Sequence, residues 1–206
     1  HLQIKVEHFP GDAIPEGAFE DLLEFCKIAE TEKKQPAHEN MSTENWQNRP
    51  ETLLHTLHIQ GRYNTGIGQF FFVRVDDKLA GVSGCYEYDV DPQVLVCGVR
   101  CWTLPEYRVK YLHGNHLFPA QFEWGKHNGY VAGMFTFNEY NLPLRNFLRR
   151  IASGRMTAPG LPNSDNYKDL QFPKEPVLIK NTKQWLAIKP FVTEESEYED
   201  SSILSN

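Results

Sequence analysis

The spacing of apolar and polar residues changes repeatedly along the chain, and each change predicts a new element. Apolar and polar residues alternate from Ile4 to Phe9, which predicts a short strand that ends at a Pro-Gly pair. From Pro15 to about Glu30 the apolar residues recur at helical spacing, with proline suited to the first turn. A second helix is predicted from about Asn48 to Gly61.

Three strand-like segments follow in the middle of the chain and predict an antiparallel meander. They run from Gln69 to Val75, from Leu79 to Tyr88 and from Val94 to Leu104, with a short polar turn between neighbours. If the turn near Asp91 closes a hairpin, Cys85 and Cys97 are equidistant from it and lie on facing strand positions.

After this meander the pattern becomes strand, helix, strand. Helical spacing from His116 to Asn128 is followed by Gly129, a natural C-cap, and then by a strand from Val131 to Phe137. The last predicted elements are a short basic helix and two strands: Leu144 to Ile151, Val177 to Lys180 and Gln184 to Ile188. This order predicts a mixed α/β fold, in which helices flank a partly antiparallel sheet.

Composition and charge narrow the class of protein. The chain has 206 residues, of which 40% are apolar and 23% charged, so we expect one soluble domain over residues 1–192. The net charge is −6, but five acids within residues 194–200 leave the remainder near −1. Residues 193–206 are therefore predicted to form a disordered acidic tail. A nearly neutral body argues against a nucleic-acid partner.

The sequence also predicts no membrane or metal partner. No stretch approaches the ~18 consecutive apolar residues of a spanning helix, and the first residues carry no signal pattern, so we expect a cytoplasmic protein. The cysteines form no Cys-x-x-Cys pair and no zinc-like Cys/His spacing, which indicates free thiols. His55 and His58 share one predicted helix face but have no evident third ligand. A homodimer is compatible with these patterns.

The segment from Arg100 to Gly129 carries the most specific signal, and it reads RCWTLPEYRVKYLHGNHLFPAQFEWGKHNG. A strand runs into a Pro-Glu-Tyr-Arg sequence that begins at Pro105, then a loop with Gly114 leads into a helix. A tight turn before a helix N-terminus directs several backbone N–H groups at one spot, where phosphate oxygens bind. The segment therefore predicts an anion site, with backbone N–H groups from about Tyr111 to His116 converging on it.

This segment resembles the acyl-CoA-binding motif of the GCN5-related N-acetyltransferases (GNAT). In that family a strand that ends in Pro-Glu-Tyr-Arg is followed by a glycine-rich turn and a helix that ends in glycine. The spacing from Gly114 through Leu117, Trp124 and Gly125 to Gly129 follows the family pattern, and the element order fits over about residues 3–190. The resemblance implies the acyl-CoA N-acyltransferase fold, acetyl-CoA or another acyl-CoA as co-substrate, and a small-molecule or peptide amine as acceptor.

The resemblance further implies how the co-substrate is held. Strand backbone would bind the pantetheine arm and the Gly114 turn would bind the pyrophosphate. The implied cofactor-binding residues are Trp102, Thr103, Leu104, Arg108, His113, Gly114, Asn115, His116 and Asn141. The sequence departs from the family pattern at Arg108, which is one residue too far from Gly114, and at Leu112, which replaces a glycine.

Two strands border this predicted site. The βαβ connection implies that the strands ending near Leu104 and starting near Val131 are parallel, and the resemblance implies that they splay apart. A helix from about Gly114 to Asn128 should connect them.

Direct attack of an amine on a thioester needs a base for the ammonium proton and an acid for the leaving thiolate. The family often supplies the acid as a Tyr in the helix after the Asn, and this helix has none, so Tyr140 is the nearest substitute. Its alternative is an ordinary aromatic at a strand end. Glu87, between two tyrosines, is the first candidate base, followed by Asp89 and Glu106. Each has the alternative of a solvated carboxylate.

The basic helix allows two interpretations as well. Four arginines lie on or just after it: Arg145, Arg149, Arg150 and Arg155. They form either a solvated face that complements the helix dipole, or a contact to an acidic substrate or to the 3′-phosphate of the co-substrate.

Two functions follow from these patterns. The first is an N-acyltransferase that moves an acetyl group from acetyl-CoA to a primary amine in a ternary complex. The second is a non-catalytic binding module of the same fold with a degenerate cofactor site. The framework from Pro105 to Gly129 favours the enzyme. The departures at Arg108 and Leu112, and the missing Tyr in the helix after Asn141, favour the module.

Overall fold

The computed structural model of the chain describes residues 2–30, 68–138, 141–153, 164–179 and 181–191. The helix predicted from Asn48 to Gly61, the acidic tail and Tyr140 lie outside the described residues.

The observed elements follow the predicted order. In chain order they are β1 (Ile4–Pro10), α1 (Glu16–Glu30), β2 (Gly68–Val75), β3 (Lys78–Glu87), β4 (Val94–Thr103), a 3₁₀ helix (Pro105–Lys110), a π-helical turn (His113–Leu117), α2 (Phe118–His127), β5 (Ala132–Phe137), α3 (Leu142–Ala152), a 3₁₀ turn (Ser164–Tyr167), β6 (Val177–Ile179) and β7 (Thr182–Pro190). The π-helical turn runs directly into α2, so the connecting helix begins at His113, one residue before the predicted start.

The described strands form one seven-stranded sheet in the order β1-β2-β3-β4-β5-β7-β6. Neighbouring strands are antiparallel except β4 and β5, which are parallel, as predicted. Their pairing runs only from Val94 opposite Ala132 to Cys97 opposite Phe135. Beyond Cys97, β4 continues to Thr103 while β5 stays paired with β7, so a gap opens between the two central strands. The predicted splay is confirmed.

A backbone irregularity in β4 lies where this gap begins. Gly98 has φ of +65° and Arg100 has φ of +53°, and the register with β3 shifts on either side of Gly84. A Cβ atom on residue 98 would lie 2.9 Å from the Phe135 ring, so only glycine fits there. Together these features form a β-bulge, a device that bends a strand and ends its pairing.

A buried glutamine from α2 supports the bulge. Gln121 is fully buried; its Oε1 accepts a hydrogen bond from the Gly98 N–H at 3.0 Å, and its Nε2 donates to the Gly84 carbonyl at 3.3 Å. Both backbone groups sit where the sheet ladder is disturbed, and a buried unpaired backbone group is costly. A glutamine on the inward face of a predicted helix was the available sequence signal for this role.

Helices cover both faces of the sheet. On one face α1 packs Ala18, Leu22 and Phe25 against side chains of β2 and β3. On the other face α2, α3 and the π-helical turn bury a largely aromatic cluster against β4, β5 and β7: Leu117, Phe118, Phe122, Phe135, Phe137, Phe147 and Leu148. No helix among the described residues is long and apolar enough to cross a bilayer.

The described cysteines are free thiols on or near this second cluster. Cys85 and Cys97 are buried, and burial raises the pKa of both thiols well above the ordinary value. Tyr86 pairs with Val96 but Gly84 pairs with Val99, so a register shift falls at Cys85 and the two cysteines do not form the regular facing pair that the hairpin predicts. The charge of Cys97 nevertheless contributes to the raised pKa of Cys85. The side chain of Cys26 lies outside the described part.

Candidate active site

The edge of β4 that borders the gap exposes the backbone of alternate residues. The Leu104 N–H donates to the Ala80 carbonyl at 2.9 Å, so this residue directs its backbone groups toward β3. Because backbone direction alternates along a strand, Trp102 does the same, while Thr103 and Cys101 direct theirs into the gap. Of the three residues expected to bind a pantetheine arm, the structure therefore places only Thr103 backbone groups at the open edge.

Arg108 lies across this same edge. Its Nε donates to the Thr103 carbonyl at 3.1 Å, and its guanidinium lies 5.8 Å from the centroid of the Trp102 ring. The arginine that the sequence placed in the phosphate loop thus folds back onto the end of β4. The sequence pattern could not show this, because the contact depends on the 3₁₀ helix that places Arg108 beside Thr103.

The start of the connecting helix supplies backbone donors that have no acceptor in the part of the chain that the structure describes. The first helical bond runs from the Asn115 N–H to the Tyr111 carbonyl at 2.8 Å, and Tyr111 itself is left-handed with φ of +50°. Helix geometry leaves the N–H groups from Leu112 to Gly114 without an acceptor in the helix. The Tyr111 N–H is already bonded to the Arg108 carbonyl. The donor set is therefore narrower than the predicted Tyr111-to-His116 run.

Tyr167 stabilises the Gly114 turn from a distance. Its buried hydroxyl donates to the Gly114 carbonyl at 2.6 Å. In the π-helical turn the Phe118 N–H bonds to the His113 carbonyl, so the donor next in line for Gly114 would be residue 119, a proline without an N–H. Tyr167 replaces that missing donor. Sequence reasoning missed it, since only Pro119 hinted that a carbonyl one turn earlier needs an outside partner.

The histidines of the loop occupy an apolar setting. The His113 ring lies 5.0 Å from the Phe147 ring and 5.5 Å from the Phe118 ring, centroid to centroid. Burial, with a smaller contribution from the Arg108 charge, lowers the pKa of His113 to about 4. Partial burial also lowers the pKa of His116. At neutral pH His113 is uncharged, so it can contribute hydrogen bonds or packing to an anion site but no ion pair.

The remaining implied cofactor residues have local partners. The Asn115 Nδ2 donates to the Lys110 carbonyl at 3.1 Å. Asn141 is the N-cap of α3, since its Oδ1 accepts from the Leu144 N–H at 3.4 Å. Asn141 lies four residues after the last residue of β5, the strand that borders the gap, and its cap fixes where α3 begins.

The candidate bases lie away from the open end of the gap. Glu87 ends β3 opposite Leu95, at the closed end where β4 and β5 are paired, and it accepts a hydrogen bond from the Tyr130 hydroxyl at 3.4 Å. Burial, and then the Glu87 charge, raise the pKa of Tyr130 to about 12. Glu106 forms an exposed ion pair with Lys78 at 2.8 Å, and Asp89 is exposed. The structure does not bring these carboxylates to the anion site.

Comparison with known proteins identifies the fold. No family model and no curated protein sequence matches the chain. Among solved structures, the N-acetyltransferase PaiA from Thermoplasma acidophilum in complex with coenzyme A has a TM-score of 0.56 and 13% identity, with 91% of this chain and 99% of that chain covered. Escherichia coli ElaA has a TM-score of 0.55 and 14% identity, with the same shares covered.

A GNAT-family acetyltransferase from Staphylococcus aureus Mu50 has a TM-score of 0.51 and 14% identity, with 92% of this chain and 100% of that chain covered. Identities this low carry the architecture and not the substrate. The parallel, splayed central strands, the connecting helix and these similarities together show that this divergent chain has the GNAT acyl-CoA N-acyltransferase fold.

Proposed function

We propose that the protein is an acyl-CoA-dependent N-acyltransferase, in the simplest case one that transfers the acetyl group of acetyl-CoA to a primary amine. The observation that carries this proposal is the junction of two features. The strand edge at Cys101 and Thr103 that borders the gap lies in the chain just before a helix start, where the N–H groups from Leu112 to Gly114 have no acceptor among the described residues. The first feature suits the amide groups of a pantetheine arm, and the second suits a pyrophosphate.

The donors at the helix start suit an anion on steric and electrostatic grounds. Gly114 is buried, and its lack of a side chain permits close approach of an anion to the backbone. The positive end of the helix dipole adds to the attraction. The hydrogen bond from the Tyr167 hydroxyl fixes the orientation of the Gly114 carbonyl and so restrains the turn.

The proposed reaction proceeds by direct attack. The neutral amine forms a C–N bond to the thioester carbonyl carbon, and the C–S bond then breaks to release CoA thiolate. One proton leaves the nitrogen for a base and one reaches the sulfur from an acid. Glu87 and Tyr140 remain our candidates for these two roles, with Tyr140 outside the described residues. Since Glu87 lies at the closed end of the gap, a water chain would be needed to carry the amine proton to it.

One observation favours a second function, a binding module without catalysis. The Arg108 guanidinium already donates a hydrogen bond to the Thr103 carbonyl, which a pantetheine amide would otherwise use as its acceptor. If this contact persists with ligand present, the arm is held by fewer strand groups and an acyl group is positioned less well. The two functions share the anion site and differ in turnover.

A screen for free-CoA release separates them. Acetyl-CoA is mixed with polyamines, amino sugars, aminoacyl compounds and peptide N-termini, and the new thiol is titrated. The proposal expects release that depends on both the enzyme and one class of amine. Saturable acetyl-CoA binding without release from any amine would contradict the enzyme and support the binding module.

A further inference from the structure

A small pocket lies between α3 and β7, outside the site described above. Its volume is about 40 Å³, enough for a single planar group. The lining residues are Phe137, Arg145, Arg149, Phe172, Pro173, Trp185 and Leu186. Two guanidiniums line it, with no acidic side chain among the described lining residues, so this lining is positively charged and has aromatic walls.

Arg145 has a donor that nothing in the described residues uses. Its Nε atom is buried and has no hydrogen-bond partner among the described parts of the chain. A buried guanidinium donor without an acceptor is costly, and a planar fork of N–H groups matches a carboxylate. Arg149 lies one helical turn further along α3, so the two positive charges are neighbours. An anion between them would use the donor and relieve the repulsion.

The pocket is separate from the phosphate loop. Phe147 faces that loop, where it contacts His113. Arg145 and Arg149 are each two positions from Phe147, about 200° around the helix, so they project from the opposite flank of α3. The loop and the pocket are therefore two different places on the molecule.

The pocket is nevertheless close to the gap between β4 and β5. Phe137 lines the pocket and is the last residue of β5, the strand that borders the gap. Trp185 is the register partner of Phe137 on β7, so the pocket lies one strand spacing, about 5 Å, beyond the gap edge. A group held here could belong to a molecule whose other end reaches the gap.

We propose that this pocket binds the carboxylate of the acyl acceptor, and that the acceptor is an amine that also carries a carboxylate. The identification of the ligand as the acyl acceptor rests on the proposed acyltransferase function. The binding of a carboxylate in this pocket does not depend on that function. Arg145 holds the carboxylate, Arg149 adds charge at the mouth, and the aromatic side chains flank the planar group. Carboxylate is preferred over its amide because only the anion balances two guanidiniums.

Binding is measured first without CoA. Sodium benzoate is titrated into ¹⁵N-labelled protein, and the Trp185 indole N–H signal, assigned with Trp185→Phe, is followed. We expect a saturable shift with benzoate and none with benzamide, and a loss of affinity of about 10- to 100-fold in Arg145→Gln. Arg150→Gln, which removes the same charge from the same helix outside the pocket, is the control and should bind as wild type does. Equal binding of benzamide, or an equal loss in Arg150→Gln, overturns the carboxylate site.

The acceptor is tested second. Glycine, β-alanine, 4-aminobutyrate and 4-(aminomethyl)benzoate are compared with their amides in CoA release. We expect at least one acid to be preferred over its amide, with Arg145→Gln raising KM and leaving kcat nearly unchanged. No preference for any acid overturns the acceptor assignment, as does competition between benzoate and acetyl-CoA. If the wild-type protein does not bind acetyl-CoA at all, the acyltransferase function is refuted instead. The benzoate titration would still decide whether the pocket binds a carboxylate.

Discussion

Replacement of Tyr167 by phenylalanine tests whether the Gly114 turn depends on one distant hydroxyl. The substitution keeps the ring, which lies 5.8 Å from Phe122 and 5.9 Å from Phe147, and removes only the donor to the Gly114 carbonyl. A buried carbonyl left without a donor costs about 1–3 kcal/mol. We expect the free energy of unfolding to fall by that amount, with weaker acetyl-CoA binding because the donor turn loses its fixed shape.

Urea denaturation measures the first effect. With a slope of about 2 kcal/mol per molar urea, the midpoint should fall by roughly 0.5–1.5 M. The matched control is Tyr130→Phe, which removes a hydroxyl from a longer bond, 3.4 Å to Glu87, far from the turn. It should shift the midpoint much less and leave acetyl-CoA affinity unchanged.

A double-mutant cycle with Pro119→Ala tests the cause. Alanine restores an N–H at the position from which a π-helical bond to the Gly114 carbonyl is made. The cost of Tyr167→Phe should therefore be smaller in the Pro119→Ala background, by at least about 0.5 kcal/mol. An additive cycle, or a Tyr167→Phe variant as stable as wild type, would refute the reasoning.

Three further predictions concern the loop and the catalytic acid. Gly114→Val should weaken acetyl-CoA binding more than it lowers stability, because a side chain blocks close approach of the anion. Calorimetry measures the binding and urea denaturation the stability. A loss of stability larger than the loss of binding would show that the loop is only structural. Since the pKa of His113 is lowered to about 4, the unfolded state binds its proton first as the pH falls from about 6.5. The free energy of unfolding should therefore be highest above about pH 6.5 and fall by about 1–3 kcal/mol as the pH decreases to 4. The fall should be smaller in His113→Phe, and equal falls in the two proteins would exclude His113 as the cause. If Tyr140 is the acid, Tyr140→Phe should lower kcat by ~10²–10⁴ with the acetyl-CoA Kd unchanged, whereas an unchanged kcat would exclude it.

The fold could be predicted because its signals are local. The strand, helix and turn patterns each depend on neighbouring residues, and the βαβ unit from Val94 to Phe137 left one reasonable pairing for its two strands. The spacing from Gly114 to Gly129 then indicated that this unit is arranged as in the GNAT acyl-CoA-binding motif. Both the parallel pairing and the connecting helix follow from these short-range features.

The site was predictable only in part, because its details depend on long-range contacts. Tyr167 is 53 positions from Gly114, and the position of Arg108 depends on the 3₁₀ helix that follows β4. Which backbone groups face the gap depends on the bulge at Gly98, since a one-residue shift exchanges the two edges of a strand. Sequence spacing does not determine that phase, so Leu104 was placed at the gap although its N–H is bonded to Ala80.

The central claim is that the chain binds acyl-CoA across the end of β4 and the start of the connecting helix. A titration of ¹⁵N-labelled protein with acetyl-CoA, followed by backbone amide signals, tests it most directly. We expect saturable shifts concentrated at Cys101, Thr103 and the N–H groups from Leu112 to Gly114. Absence of saturable shifts, or shifts that spare these amides and map instead to α1 and β1, would contradict it.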